Sequence, residues 1–123
     1  EIGAAGETAA LKGYLEKGYC LIARNWHYKR FGEIDLILSD SYKKDGKMHN
    51  FIIFCEVKLR QEKSLLTPVE SVNITKQNRI RKLAEIFIDL NPQYENYNVR
   101  FDIAEINKTN SGTYRIQILS DAF

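Results

Sequence analysis

The sequence predicts an α/β (α+β) fold in which helices cover a mixed β-sheet of about five strands. Three observations predict it: two stretches with helical spacing of apolar residues, five short stretches with strand character, and the order in which they follow one another. That order is helix, three strands, helix, two strands. No internal repeat or low-complexity linker interrupts the 123 residues, so residues 1–123 are expected to form a single domain around one modest core.

The first helix is expected from Gly6 to Lys17, where Leu11, Tyr14 and Leu15 share a face and Gly18 sits at the place of a left-handed C-terminal cap. Tyr19 to Arg24 is an apolar run of strand length. Glu33 to Leu38 then alternates polar and apolar residues, as does Phe51 to Lys58 with its β-branched and aromatic side chains. Between them lies a polar stretch, Ser39 to Asn50, holding the hairpin dipeptide Asp45-Gly46. A hairpin centred on that dipeptide places Asp35 opposite Glu56, and a bulge would shift this register. Thr67-Pro68-Val69-Glu70 reads as a helix start, with a Thr cap, Pro at the first position and Glu three residues after the cap. The long helix that follows, restarting near Thr75, carries Ile80, Leu83, Ala84, Phe87 and Leu90 as its buried stripe and stops at Asn91-Pro92. Asn98 to Ile106 and Thr113 to Leu119 are the last two strands, joined by a turn at Asn110-Ser111-Gly112.

Composition excludes several function classes. The net charge of +2 does not announce a nucleic-acid partner, so any such case rests on where charges cluster. No run of about 18 apolar residues and no basic-then-apolar leader is present, so neither a membrane span nor a secretion signal is expected, and the setting expected is cytoplasmic. Cys20 and Cys55 lie in apolar stretches and read as reduced core thiols, while His27 and His49 are isolated, which argues against zinc.

Chemistry concentrates on two strands. Side chains alternate along a strand, so Glu56 and Lys58 share one face and Val57 points into the other layer. Charge on the face of so apolar a strand is costly unless it is paired or bound to metal. Asp35 likewise interrupts the apolar run from Ile34 to Leu38. Two carboxylates facing across an antiparallel pair repel, raising one pKa, unless a divalent cation lies between them. Hard oxygen ligands without imidazole or thiolate select Mg²⁺ or Mn²⁺. Lys58 is placed to orient an attacking water or to stabilise charge building on a phosphate. These are the working parts of a hydrolytic nuclease.

Asp35, a gap of twenty residues, then Glu56-Val57-Lys58 is similar to the PD-(D/E)XK nuclease signature. The chain also resembles the YraN-like family of small bacterial proteins over nearly its whole length. The resemblance is carried by Gly6-Glu7, Tyr14-Leu15, Gly18-Tyr19, Ala23 to Trp26, Gly32 to Ile37, Glu56-Val57-Lys58 with Arg60, Pro68 with Glu70-Ser71-Val72, Lys76 with Arg79-Ile80, Arg100-Phe101-Asp102 and Asp121-Ala122-Phe123. It implies a restriction-endonuclease-like core related to Holliday-junction resolvases. The loop expected from Ser39 to Asn50 is longer than the short hairpin usual in that family. The resemblance also places Glu7, at the start of the first helix, among the metal-binding carboxylates; the alternative is an N-terminal Glu favoured by the helix dipole.

The expected metal set is Glu7, Asp35, Glu56 and Val57, and the expected catalytic set is Asp35, Glu56, Lys58 and Gln77. Lys76 and Gln77 open the long helix where similar nucleases touch phosphate or the attacking water; the alternative is a solvated helix start. Glu33 is either a support for Asp35 or a surface acid. Asn25 to Phe31 interleaves rings with cations, the composition of a surface that grips a nucleic-acid backbone. Arg24, Trp26, Lys29, Arg30, Arg60, Lys76 and Arg79 are the expected nucleic-acid contacts, with Trp26 also a candidate for the core. Asp102 is expected to be structural, paired with Arg100 or another cation. The leading function is Mg²⁺- or Mn²⁺-dependent cleavage of DNA, with structure-selective cutting and a homodimer compatible with it. The alternatives are a non-catalytic nucleic-acid or protein binding module and a nuclease toxin domain acting on DNA or RNA.

Overall fold

The computed structural model describes residues 3–60, 67 and 69–123. Helix α1 (Gly3–Glu16) leads into strands β1 (Cys20–His27), β2 (Glu33–Lys44) and β3 (Lys47–Leu59). Helix α2 (Ile74–Leu90), a 3₁₀ turn (Pro92–Tyr94), β4 (Asn98–Lys108) and β5 (Tyr114–Leu119) follow. The five strands form one sheet in the order β1-β2-β3-β4-β5, with β3 and β4 parallel and the other neighbours antiparallel. The expected mixed sheet flanked by helices is therefore present. The parallel pair is the one whose connection carries α2, as a crossover requires.

Strand period 2 sorts the core into two layers. Leu36, Leu38, Ile53, Cys55 and Val57 pack on Ala10 and Tyr14 of α1. Ile37, Ile52 and Phe54 pack on Ile80, Leu83, Ala84 and Phe87 of α2. Covered on both faces, β3 is buried without a break from Ile52 to Val57.

Several expectations shift. The polar stretch from Ser39 to Asn50 is paired strand, from Ser39↔Ile52 to Lys44↔Lys47, so the hairpin loop is only Asp45-Gly46. Both residues have positive φ (53° and 76°), as a type I′ turn requires, and the twist of that turn matches the strands it joins. Polar residues suit this arm because most of its side chains are exposed. No register shift interrupts the pairing down to Leu36↔Cys55, and its continuation sets Asp35 opposite Glu56, as the turn predicts. β1 runs on to His27, past the expected end at Arg24, so Asn25 to His27 belong to an edge strand. Thr67 and Glu70 do exchange the two bonds of a capping box, at 2.9 and 3.2 Å, but only a turn follows. Pro68 lies outside the described residues. The helix starts at Ile74 because Asn73 is extended (φ −65°, ψ 164°) and its side chain accepts the Lys76 N–H at 2.9 Å. Leu15 and Leu90 are exposed, since α1 buries Gly6, Ala10 and Tyr14 and the stripe of α2 ends at Phe87. Cys20 is exposed at the edge strand, so only Cys55 is a core thiol; both are free.

Candidate active site

Asp35, Glu56 and Lys76, from three elements, meet at one end of the β2–β3 pair. The run Ile34 to Leu38 forces Asp35 into the sheet interior, where it is only 9 % exposed. Its Oδ2 accepts the Val57 backbone N–H at 2.8 Å, a bond made between the two strands. Burial first, then the neighbouring Glu56 carboxyl through hydrogen bonding and charge, push the Asp35 pKa up to about 8; the Val57 N–H and the Lys76 ammonium pull it back. The raised pKa follows the expected behaviour of two facing carboxyls.

Glu56 is 6 % exposed. Its Oε2 has the Lys76 ammonium at 2.9 Å, its one ion partner among the described residues. A buried carboxylate oxygen held by a single, partly exposed ammonium is a ready ligand for a hard cation. Lys58 shares the Glu56 face by strand alternation, is half-buried, and forms no ion pair among the described residues. Cys55 is next in sequence but faces α1, and burial pushes its thiol pKa up, so no thiolate competes for a metal.

Asp102 shows what a structural acid looks like in this fold. It is fully buried, and it accepts Arg100 Nε and Nη2 at 2.9 Å, the Tyr14 hydroxyl at 2.8 Å and the Asp121 N–H at 3.0 Å. Asp102 accepts four hydrogen bonds, whereas Glu56 has the Asp35 carboxyl and the Lys76 ammonium beside it.

The donor set of Asp35 and Glu56 fits Mg²⁺ or Mn²⁺, with water and a substrate oxygen completing the shell. Among the described residues no group of three His, Cys, Asp or Glu side chains gathers around a common point. Glu7 lies instead 3.7 Å from Arg24 Nη2, and Arg24 also donates to Ala4 O at 2.8 Å. Val57 contributes its N–H to Asp35 and its side chain to the α1 layer. Gln77 points away: its Nε2 donates to Val72 O at 2.8 Å, tying the first turn of α2 to the preceding turn. Lys76, expected to reach nucleic acid, is the α2 residue that meets the carboxylates.

The other expected contacts divide. Arg60 pairs with Glu105 at 2.9 Å. Glu105 is a buried acid that the sequence reading missed, although it interrupts the apolar β4 run as Asp102 does. Trp26 packs edge-on against Phe87 (5.1 Å between ring centres) and stacks on Tyr28 (6.3 Å), so it borders the core. Lys29 lies over the Tyr28 ring at 5.1 Å, and Arg30 is exposed beside it. The stem of Arg79 crosses Gly32, where φ is +126° and an added Cβ would meet Arg79 Cδ at 2.9 Å. This close approach brings the basic turn of residues 28–32 against the α2 surface that also carries Lys76. Glu33 is exposed at the strand entry.

The sequence profile of the uncharacterised protein family UPF0102 matches residues 6–106. The chain belongs to the UPF0102 family. A UPF0102 protein of Clostridium botulinum is 37% identical over 125 residues, covering 100% of this chain and 94% of its own length. One of Acetivibrio thermocellus is 37% identical over 98% of this chain and 89% of its own. One of Natranaerobius thermophilus is 36% identical over 98% and 95%. The YraN-like resemblance is thereby borne out. The family name carries no activity, so the chemistry of a UPF0102 protein has to be argued from the site.

Proposed function

We propose that the chain is a Mg²⁺- or Mn²⁺-dependent endonuclease that hydrolyses phosphodiester bonds, with DNA as the favoured substrate. One observation carries this reading. Asp35 and Glu56 are buried side by side, one with a raised pKa and the other balanced by a single partly exposed ammonium, that of Lys76, among the described residues. A structural pair would be satisfied as Asp102 is.

A divalent cation held by Asp35 and Glu56 supplies Lewis-acid polarisation of a phosphate oxygen and lowers the pKa of a bound water. The protein's own residues do the rest. The Val57 N–H fixes the orientation of the Asp35 carboxyl. Lys58 faces the same space, holding the attacking water or the charge that develops on the phosphate. Lys29 and Arg30 lie on the turn whose Gly32 packs on Arg79, three residues after Lys76 on the helix, and their positive charge suits a polyanionic backbone.

The test is cleavage of linear, nicked, flapped, branched and single-stranded DNA and of structured RNA, with Mg²⁺, Mn²⁺ or EDTA. Metal-dependent cutting lost in Asp35→Asn and Lys58→Ala supports the enzyme and names the substrate. Binding of nucleic acid without cutting, unchanged in both variants, points to a non-catalytic module.

A further inference from the structure

Lys76 occupies the side of Glu56 that a bound cation would contest. Its Nζ lies 2.9 Å from Glu56 Oε2 and pairs with it. Glu56 is the only ion partner of Lys76 among the described residues, and 40% of the Lys76 side chain is exposed. The ammonium therefore has an open path away from the carboxylate. A Mg²⁺ ion on the same oxygen would sit about 2.1 Å from it, so the two positive centres would be no further apart than about 5 Å. At this buried end of the sheet such cations repel strongly.

We propose that Lys76 is an internal counterion that exchanges with the metal: it balances Glu56 until a divalent cation binds, and the displaced ammonium then pairs with a substrate phosphate. This rests on the reading of Asp35 and Glu56 as metal ligands. Lys76 is a positioning residue in this scheme, acting through the occupancy of the carboxylates. Its neighbours are less free to play the part. Gln77 is tied to Val72, and the stem of Arg79 is packed on Gly32. Metal and phosphate then assist each other's binding, since each removes the ammonium from the other's way, and the coupling is reciprocal.

Titration calorimetry with Mn²⁺ alone on the wild type, Lys76→Met and Lys82→Met tests the exchange. Lys82 lies on the same helix and pairs with Glu85, so its variant removes one positive charge without touching the carboxylates. The expected result is Mn²⁺ binding about tenfold or more tighter in Lys76→Met, with Lys82→Met like the wild type. A second measurement does not depend on how well Lys76→Met folds. The Lys76 ε-methylene NMR signal, assigned with Lys76→Gln, should shift as Mg²⁺ saturates the wild type. Equal Mn²⁺ affinity in all three proteins, or a Lys76 signal unmoved at saturation, would overturn the exchange and leave the metal site standing. No binding of either metal to any of the proteins would overturn the metal reading and the exchange together.

Discussion

The Val57 backbone N–H donates to Asp35 Oδ2 at 2.8 Å, locking a buried carboxyl to the strand that carries Glu56 and Lys58. The bond ties the two halves of the site together through the sheet itself, so the spacing of the carboxylates depends on hairpin register rather than on a loop. Placement on paired strands gives such a site its rigidity.

A first consequence is a link between pH, metal and stability. The folded pKa of Asp35, about 8, lies above the ordinary carboxylate value. In EDTA its contribution to stability is fully present below the unfolded pKa and is lost as pH rises through about 8. Thermal unfolding from pH 5.5 to 8.5 should therefore show a falling Tm in EDTA and a flatter profile with saturating Mg²⁺. Asp35→Asn should flatten the EDTA profile as well. A wild-type Tm that does not fall across this range in EDTA would contradict the protonated Asp35.

The Asp102 network gives a second expectation. Asp102→Ala leaves the Arg100 guanidinium, itself largely buried, without its partner and strips the Tyr14 hydroxyl of its acceptor. Breaking a buried pair in this way costs about 3–5 kcal/mol. Urea unfolding checks it. A loss below about 1 kcal/mol would mean that the network is not what holds β4 to α1.

A third concerns the arm. Gly46 has φ +76° and nothing within 4 Å of an added Cβ, so Gly46→Ala is charged for backbone conformation alone. The expected loss is about 1–2 kcal/mol. Chemical shifts at Asp35 and Glu56, nine or more residues away along each strand, should not move. A shift there would show that the turn does not by itself determine register.

The sequence was legible where one local signal had one structural outcome. Asp45-Gly46 admits a two-residue hairpin, and from it the facing of Asp35 and Glu56 follows. The arm was misread as loop because its residues are polar, yet strands outside a core need no apolar face. Lys76 and Gln77 lie about 100° apart on a helix. Which one faces the site depends on where the helix begins, and that is set by Asn73 rather than by the stronger-looking signal at Thr67. Glu7 could not be placed from spacing alone, because its partner Arg24 comes from an edge strand, and periodicity within a helix does not show which of its residues meets another element. Cys20 was misjudged for a related reason: an apolar run at a sheet edge is covered on fewer sides than the same run at the centre.

The most direct measurement is the rate of cleavage of a branched DNA duplex in Mn²⁺ by the wild type, Glu56→Gln and Lys58→Ala. The account predicts cutting by the wild type that EDTA abolishes, none by Glu56→Gln, and a rate lower by about 10²-fold or more in Lys58→Ala. Cleavage by Glu56→Gln at the wild-type rate, with the same metal requirement, would contradict the assignment of this site as the catalytic centre.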